Sequence, residues 1–357
     1  MVIACGGTGG HLFPGIAVAE ALRARNHQPL LLISEKKVDA EASAKYGGLR
    51  FEVIPAIAKP PTFSPKMLPF LWRLWRTMAR CRRLLKSEGA DAVLGMGGFT
   101  SLPPVRAGYK LGLPSFIHDS NAVPGRANIL TSKFCTKVLL GLEAARRFFP
   151  KRECELVGTP VREELRQAPE QGAAREKFGL APDKFTVLVM GGSQGARGLN
   201  TLVCAASADL EDRCQFLHLA GKLDHERVEQ LVAGRSNHRV LSFCDDMTTA
   251  YAAADVGICR SGASSLSEMA LLGLPGILVP YPYAADDHQT ANAQAFVDAG
   301  AAEMVQEANL TGEQLAGIIG KLMTDEAWRI RMMEAMKSLA VEEACLLYTS
   351  DAADEDC

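Results

Sequence analysis

The 357-residue sequence has no long hydrophobic run. No apolar stretch approaches the ~20 residues that a membrane-spanning helix requires. The N-terminus has no charged start, no extended apolar core and no small-residue cleavage site of the kind that marks a secretory signal. These absences predict a soluble cytoplasmic protein.

The sequence also lacks a charge surplus and a cysteine pattern. Its 39 basic and 41 acidic residues give a net charge of -2, which argues against a protein that binds nucleic acid through a basic surface. The ten cysteines include no CxxC pair and no Cys/His combination at zinc spacing, so we expect reduced cysteines in core positions. Neither a nucleic-acid partner nor a zinc site is predicted.

The dominant pattern is an alternation of short apolar runs with amphipathic segments. The runs predict thirteen strands, and the segments predict helices that cover parallel sheets on both faces. Because thirteen strands exceed one comfortable sheet, two doubly wound, Rossmann-like α/β domains are expected. An internal similarity supports two domains, because one predicted strand leads into GGTGG at 6–10 and another leads into GGSQG at 191–195. The predicted domains are 1–160 and 161–340, and the acidic tail 341–357 is expected to be disordered or non-native.

The first glycine motif, GGTGGH, ends at His11. Glycines between a strand and a helix let the backbone approach a ligand, and the helix start offers free N–H groups. The motif is not GxGxxG, so it does not indicate a dinucleotide. His11 is expected at the carboxyl edge of the first strand, where open α/β sheets bind ligands. The alternative is a tight turn without a ligand.

Two further strand ends in the first half carry small or polar residues. VLGMGGFTS at 93–101 would let an acceptor group approach, with structural glycine as the alternative. HDSNAVPG at 118–125 places side chains that can bond sugar hydroxyls at a neighbouring strand end, with a structural histidine as the alternative. The shared location with His11 favours a site.

The second half repeats this arrangement. In GGSQGAR at 191–197, Ser193 and exposed N–H groups suit a phosphate. In RSGASSLSEMALLGLP, Arg260 and the helix N-terminus suit a diphosphate, and Glu268 suits vicinal ribose hydroxyls. The alternative for Glu268 is a favourable charge near a helix N-terminus. DDHQTANA at 286–293 suits sugar hydroxyls, with a metal site at its first three residues as the alternative.

The segment from Lys66 to Lys86 has seven basic and no acidic residues. Helical spacing predicts a core-facing stripe of Leu71, Leu74, Met78, Cys81 and Leu85. Tryptophans beside arginines suit contact with an anionic membrane, so the predicted contact residues are Leu68, Phe70, Trp72 and Trp75. Ordinary helix packing is the alternative.

Six motifs in order, GGTGGH, LGMGGF, GTPVR, GGSQGAR, CRSGASSLSE and DDHQTANA, make the chain resemble the MurG family, over residues 1 to about 340. This family converts lipid I to lipid II. The resemblance implies the GT-B glycosyltransferase fold, with two Rossmann-like domains facing across a cleft. It implies UDP-N-acetylglucosamine as donor, lipid I (undecaprenyl-pyrophosphoryl-N-acetylmuramoyl-pentapeptide) as acceptor, and an inverting reaction without a metal cofactor. It also implies a peripheral position on the cytoplasmic face of the bacterial plasma membrane.

The resemblance also implies site residues. With Arg260 added from the reasoning above, the predicted substrate-binding residues are Thr8, Gly9, Gly10, Asn121, Arg162, Ser193, Cys244, Arg260, Ala263, Ser264, Ser265, Leu266, Ser267, Glu268 and Gln289. Cys244 would meet the uracil through its backbone amide, and Gln289 would bond the transferred sugar. His11 is the first candidate for the general base and Asp119 the second, because a neutral imidazole is available at pH 7.

The chain departs from the family where HEQN is replaced by His118-Asp119-Ser120-Asn121. Three other functions remain open. They are a UDP-sugar transferase acting on a lipid such as diacylglycerol, a UDP-N-acetylglucosamine 2-epimerase, and a non-catalytic scaffold that binds the nucleotide sugar. The basic, aromatic segment disfavours the epimerase, which needs no membrane-bound acceptor.

Overall fold

The computed structural model describes residues 1–36, 39, 44, 46–55, 60, 64–65, 67–192, 195–341 and 344. These residues divide into two units. The first contains residues 1–162, and Val341 and Ala344 also belong to it; the second contains residues 163–340. Ala344 is buried, and the side chain of Val341 packs against Gly158. The remaining residues of the predicted tail lie outside the described part.

The first unit is built on a parallel sheet with helices between its strands. The strands are β1 (Val2–Ala4), β2 (Leu30–Ile33), β3 (Arg50–Val53), β4 (Val93–Gly95), β5 (Ser115–Asp119), β6 (Lys137–Leu140) and β7 (Cys154–Leu156). The helices are α1 (Gly9–Ala24), α2 (Met67–Ser87), α3 (Leu102–Leu111) and α4 (Arg126–Thr131). The strands lie in the order β3-β2-β1-β4-β5-β6-β7. The chain adds strands on one side of β1 as far as β3 and on its other side from β4 onward, so the strand order reverses between the parallel neighbours β1 and β4.

The second unit repeats this plan. Its strands are β8 (Thr186–Met190), β9 (Gln215–Leu219), β10 (His238–Leu241), β11 (Val256–Cys259), β12 (Gly276–Leu278) and β13 (Ala302–Met304). Its helices are α5 (Gln171–Lys177), α6 (Arg197–Ala208), α7 (His225–Leu231), α8 (Met247–Ala252), α9 (Ala263–Leu272), α10 (His288–Asp298), α11 (Gly312–Thr324) and α12 (Glu326–Ser338). The order β10-β9-β8-β11-β12-β13 reverses between β8 and β11.

The central strands are apolar on both faces because helices cover both sides of each sheet. In β1, Ile3 belongs to the same buried cluster as Ile16 of α1, whereas Val2 belongs to the cluster that contains Leu85 of α2. In β8, all five residues are buried. Both faces of the central strands are therefore covered by helices, and only the ends of these strands are available to bind a ligand.

The two-sheet α/β fold confirms the prediction from sequence. Each of the thirteen predicted strands is present, with ends that differ by two residues at most. Helices α4, α5 and α8 were not predicted, because six or seven residues show too little periodicity. Across the stretches of chain described above, no helix is both long enough and apolar enough to cross a membrane.

Candidate functional site

His11 lies in the first turn of α1, which follows the carboxyl end of β1 as the sequence predicts. The helix begins at Gly9 with Thr8 as its N-cap, five residues before the start that the sequence pattern indicates. Thr8 does not cap the helix through its side chain; its Oγ1 lies 3.2 Å from Nδ1 of His11. The turn before it depends on Gly7, whose φ of +116° is rare for other residues. Thr8, Gly9 and Gly10 thus lead directly into His11 at the start of the helix.

The imidazole of His11 packs against the glycine pair that follows β4. A Cβ atom on Gly97 would lie 2.8 Å from Nε2 of His11, and one on Gly98 would lie 3.3 Å from Cε1. Both glycines also have positive φ values, +120° and +72°. The absence of side chains in LGMGGF therefore makes room for the ring. Because β1 and β4 flank the reversal of strand order, this is the position where open α/β sheets bind ligands.

The electrostatic setting keeps His11 neutral. Burial and the charge of Lys36 lower its pKa to about 4, against the opposing effect of Asp39. Lys36 Nζ donates to the carbonyl oxygen of Gly7 at 2.7 Å, and Asp39 accepts from the N–H of Gly7 at 2.9 Å. The glycine turn is thus held by a cation and an anion, and the imidazole beside it is unprotonated at pH 7.

Asp119 is buried within β5 and organises the segment that follows it. Its carboxylate accepts hydrogen bonds from the N–H groups of Asn121 and Gly125, at 3.0 and 3.3 Å, and from Nδ2 of Asn128 at 2.8 Å. Burial raises its pKa to about 6, and these hydrogen bonds oppose the rise. The same Asn128 accepts from the N–H of Gly98 at 3.0 Å. Asp119 therefore links its own loop to the glycines under His11.

His118 is also buried, and its neighbours fix its tautomer. Nε2 lies 3.0 Å from the carbonyl oxygen of Gly158, which can only accept, so Nε2 carries the hydrogen. Nδ1 then accepts from the hydroxyl of Ser120, 3.4 Å away. Burial lowers its pKa to about 4. The sequence predicts these residues just after a strand end, and the structure extends β5 to Asp119, so that His118 and Asp119 belong to the strand itself.

In the second unit, the loops after β8 and β11 lie side by side at the reversal of strand order. Ser193 lies outside the described residues. Gly195 has a φ of +84°, and a Cβ atom there would clash with the carbonyl oxygen of Ala220. The loop after β8 therefore passes directly over the end of β9, which only glycine permits.

The loop after β11 leads into a helix start with no side-chain cap. The N-cap of α9 is Gly262, so the first N–H groups, from Ala263, Ser264 and Ser265, meet no capping side chain. Leu266 is buried, and the hydroxyl of Ser267 donates to the carbonyl of Ala263. A turn further on, Glu268 accepts a 2.7 Å hydrogen bond from the buried Tyr251 hydroxyl. A helix N-terminus and an oriented carboxylate are thus one turn apart, as a diphosphate and a ribose require.

Arg260, which the sequence assigns to the diphosphate, has several partners within the protein. Its guanidinium is largely buried, with Nη1 donating to the carbonyl oxygens of Val279 and Pro280, both at 3.1 Å. Its Nη2 forms an ion pair with Glu307. Three acceptors therefore hold the group that the sequence assigned to the diphosphate, and the partner carboxylate lies 47 residues away in the sequence.

Other predicted residues have local partners. Cys244 donates from Sγ to the carbonyl of Asp246 at 3.2 Å, Gln289 accepts from the N–H of Tyr281 at 2.9 Å, and the Arg162 guanidinium lies 5.8 Å from the ring centroid of Phe13. No group of three His, Cys, Asp or Glu side chains that could hold a metal ion occurs within the described ranges.

Helix α2 presents an apolar surface, which we call the α2 apolar surface and define as Leu68, Leu71, Trp72 and Trp75. Their exposures are 77%, 51%, 56% and 64%. The buried stripe is Phe70, Leu74, Thr77, Cys81 and Leu85. Two predictions were wrong. Leu71, predicted to face the core, is exposed, and Phe70, predicted to contact the membrane, is only 9% exposed. Phe70 lies one turn before Leu74 and packs edge-on against Phe99, with ring centroids 6.5 Å apart.

Sequence reasoning missed a chain of buried polar side chains in the second unit. Nδ1 of His218, on β9, lies 2.9 Å from Nε2 of His238 on β10. Nε2 of His218 lies 3.0 Å from Oδ1 of Asn200, in the first turn of α6. Asn200 donates from Nδ2 to the carbonyl of Ala220 and to Asp224, at 2.9 and 2.7 Å. These hydrogen-bonded side chains connect α6, the helix after GGSQGAR, to β9 and β10.

Burial keeps both imidazole rings neutral, and the hydrogen bonds then fix the tautomer of His218. Because Asn200 donates from Nδ2, its Oδ1 accepts and Nε2 of His218 carries a hydrogen. Nδ1 of His218 then accepts from His238, whose own Nδ1 is buried without a partner among the described residues. Burial lowers the pKa of His218 to about 3 and that of His238 to about 4. Two histidines 20 residues apart give no local signal of this pairing.

Comparison with known proteins connects both units to one enzyme family. The profile of the glycosyltransferase family 28 N-terminal domain matches residues 1–140, and that of the family 28 C-terminal domain matches residues 186–345. A Myxococcus xanthus (strain DK1622) protein named UDP-N-acetylglucosamine--N-acetylmuramyl-(pentapeptide) pyrophosphoryl-undecaprenol N-acetylglucosamine transferase is 37% identical over 99% of this chain and 90% of its own length. A protein of the same name from Citrifermentans bemidjiense is 37% identical over 98% of each chain.

Solved structures agree. The crystal structure of MurG from Acinetobacter baumannii matches with a TM-score of 0.78 and 30% identity, over 99% of this chain and 98% of that one. A Listeria monocytogenes structure described as a UDP-N-acetylglucosamine 2-epimerase has a TM-score of 0.73 but 14% identity, over 100% of this chain and 97% of that one. The second likeness shows a shared fold alone.

Proposed function

This chain belongs to the MurG family of glycosyltransferases, and we propose that it transfers N-acetylglucosamine from UDP-N-acetylglucosamine to the 4-hydroxyl of the N-acetylmuramoyl group of lipid I, forming lipid II. The observation that carries this proposal is the 37% identity to a transferase of that name over 99% of the chain. The glycine motifs at the strand reversals of both sheets support it, since each lies where a sheet of this kind binds a ligand.

In the proposed reaction, the acceptor hydroxyl oxygen forms a bond to the anomeric carbon of the donor sugar. The bond from that carbon to the β-phosphate oxygen breaks on the opposite face, which inverts the configuration and releases UDP. His11 takes the proton of the hydroxyl. When Nδ1–H donates to Oγ1 of Thr8, Nε2 keeps the lone pair that takes this proton.

Asp119, the second candidate base, serves as a positioning residue in this proposal. Its carboxylate is buried and accepts from Asn121, Gly125 and Asn128. Through Asn128 it holds Gly98, one of the two glycines that contact the His11 ring. The replacement of HEQN by HDSN in this chain preserves that carboxylate.

The donor nucleotide is assigned to the second unit. The N–H groups at the start of α9 and the hydroxyl of Ser193 bind the diphosphate, and preorganised donors of this kind stabilise the charge of the leaving group. Glu268, held by Tyr251, accepts from the ribose hydroxyls, and Gln289 bonds the transferred sugar. Cys244 contributes its backbone amide to the uracil. Arg260 contributes through the loop that it anchors rather than as a mobile counter-ion.

The decisive experiment measures UDP release from UDP-N-acetylglucosamine in EDTA, with and without a lipid I analogue. We expect release only with the acceptor, which identifies a metal-independent transferase. Equal activity with diacylglycerol would favour the other lipid acceptor, and conversion of the donor without any acceptor would favour an epimerase. Donor binding with no release under any condition would contradict the proposal and leave a scaffold.

Because the polyprenyl chain of the acceptor stays in the bilayer, we further propose peripheral binding of the α2 apolar surface to the cytoplasmic face of the plasma membrane. The guanidinium of Arg76 lies 4.6 Å from the ring centroid of Trp72, which places a cation beside the exposed aromatics. Tryptophan and arginine together suit the interface of an anionic membrane.

Replacing Trp72 and Trp75 with serine is expected to reduce co-sedimentation with vesicles of phosphatidylglycerol and phosphatidylcholine by about tenfold or more, from the apolar surface lost. The control is Leu223→Ser, which removes a side chain that is 80% exposed in the second unit. Unchanged sedimentation of the double variant, or an equal loss in the control, would contradict the membrane assignment.

A further inference from the structure

We propose that Glu307 weakens the binding of the donor diphosphate in the second unit and thereby promotes release of UDP. This inference rests on the proposed function. Glu307 follows β13, and its Oε2 forms an ion pair with Nη2 of Arg260, with side-chain exposures of 24% and 12%. A carboxylate of the protein itself therefore neutralises Arg260, the cation three residues before the start of α9.

The same carboxylate lies against the start of α6. A Cβ atom on Gly198, the second residue of that helix, would overlap with Oε1 of Glu307. A helix N-terminus carries about half a positive charge, which stabilises an anion. Glu307 thus interacts with both of the positive features that flank the two glycine-rich loops, the guanidinium of Arg260 and the N-terminal end of α6.

Arg260 does not depend on this carboxylate for its position. Its Nη1 donates to the carbonyl oxygens of Val279 and Pro280, and its guanidinium lies 5.6 Å from the ring centroid of Tyr281. Removing the charge of Glu307 therefore leaves the guanidinium in place and adds one uncompensated positive charge to this part of the unit.

The consequence for the ligand follows from Coulomb's law. A nucleoside diphosphate carries two to three negative charges, and a fixed carboxylate repels them, most strongly in a partly buried setting. The repulsion acts on the phosphates and not on the uridine, so it distinguishes UDP from uridine. Weaker binding of the product favours turnover where product release limits the rate.

The test compares Glu307→Gln with the unaltered full chain in titrations with UDP and with uridine. We expect the variant to bind UDP roughly three- to tenfold more tightly, from loss of one nearby charge, with uridine affinity unchanged. The gain should shrink as NaCl is raised, because salt screens the added charge. Glu313→Gln, the same substitution at an exposed residue in the first turn of α11, controls for net charge and should leave both affinities unchanged.

Unchanged or weaker UDP binding by a natively folded Glu307→Gln protein would overturn the inference, as would an equal gain for uridine. Circular dichroism establishes the native fold, and Glu307→Ala is the second variant if the first does not fold. If the unaltered chain binds neither UDP nor UDP-N-acetylglucosamine, the proposed function itself fails. Normal UDP binding without a gain in the variant rejects only the role of Glu307.

Discussion

Substitution of His11 by alanine is expected to lower the turnover number by about 10²- to 10⁴-fold, the usual contribution of a general base. The imidazole is neutral at pH 7 and packs directly against the glycine pair after β4. Donor affinity should change little, because the donor is assigned to the second unit. The measurement is single-turnover formation of product, together with titration of UDP-N-acetylglucosamine.

Two further variants separate chemistry from structure in this experiment. His27→Ala makes the same change at an exposed residue after α1 and should keep full activity. Gly97→Ala keeps the imidazole but forces it to move, since the new Cβ atom would lie 2.8 Å from Nε2, so an intermediate loss is expected. Near-normal turnover of His11→Ala would reject the imidazole as the base.

Acidification is expected to destabilise the second unit by roughly 3 kcal/mol per pH unit between about pH 5.5 and 4.5, the effect of two protons. Burial lowers the pKa of His218 to about 3 and of His238 to about 4, whereas both are near 6.5 in an unfolded chain. Below pH 6.5 the unfolded chain therefore binds two protons that the folded unit does not. The stability is fully present above pH 6.5 and falls as the pH falls towards 4.

The stability of the first unit should fall less steeply with decreasing pH. Burial lowers the pKa of His11 and of His118 to about 4, which gives the same sign of effect. Burial raises the pKa of Asp119 to about 6, so the folded unit takes up a proton that the unfolded chain releases above about pH 4. The carboxyl group thus offsets one of the two histidines.

Urea unfolding at several pH values tests this difference. The chain has three tryptophans, and Trp328 is the one in the second unit, so Trp72→Phe with Trp75→Phe makes it a specific reporter. His238→Gln keeps a donor towards Nδ1 of His218 and should halve the pH slope, whereas His288→Gln, outside the buried chain, should leave the slope unchanged. A midpoint independent of pH, or the full slope in His238→Gln, would contradict the assignment.

The fold was predictable because its signals are local. A strand such as β8 is apolar along its whole length, and the glycine motifs mark strand ends without reference to the rest of the chain. The family resemblance then supplied roles for the motif residues. Short helices and exact helix starts were less predictable, as the beginning of α1 at Gly9 illustrates.

Features that depend on distant residues were not predictable. The ion pair of Arg260 with Glu307 joins residues 47 apart in the sequence, and the pairing of His218 with His238 depends on which strands are neighbours in the sheet. The predicted buried face of α2 was wrong by one residue at its start. Phe70 and Leu71 are both apolar, and only the packing of Phe70 against Phe99 decides which of them is buried. Pattern alone gives the type of an element, whereas packing decides which face it buries.

The return of Val341 and Ala344 to the first unit has a consequence for synthesis on the ribosome. Residues 163–340 form the second unit, so the first is complete only when nearly the whole chain has emerged. The second unit can therefore close while the first still lacks its last buried contact, the burial of Ala344. A chain cut after residue 340 would lose that contact and expose the surface beneath it, although every strand of both sheets would remain.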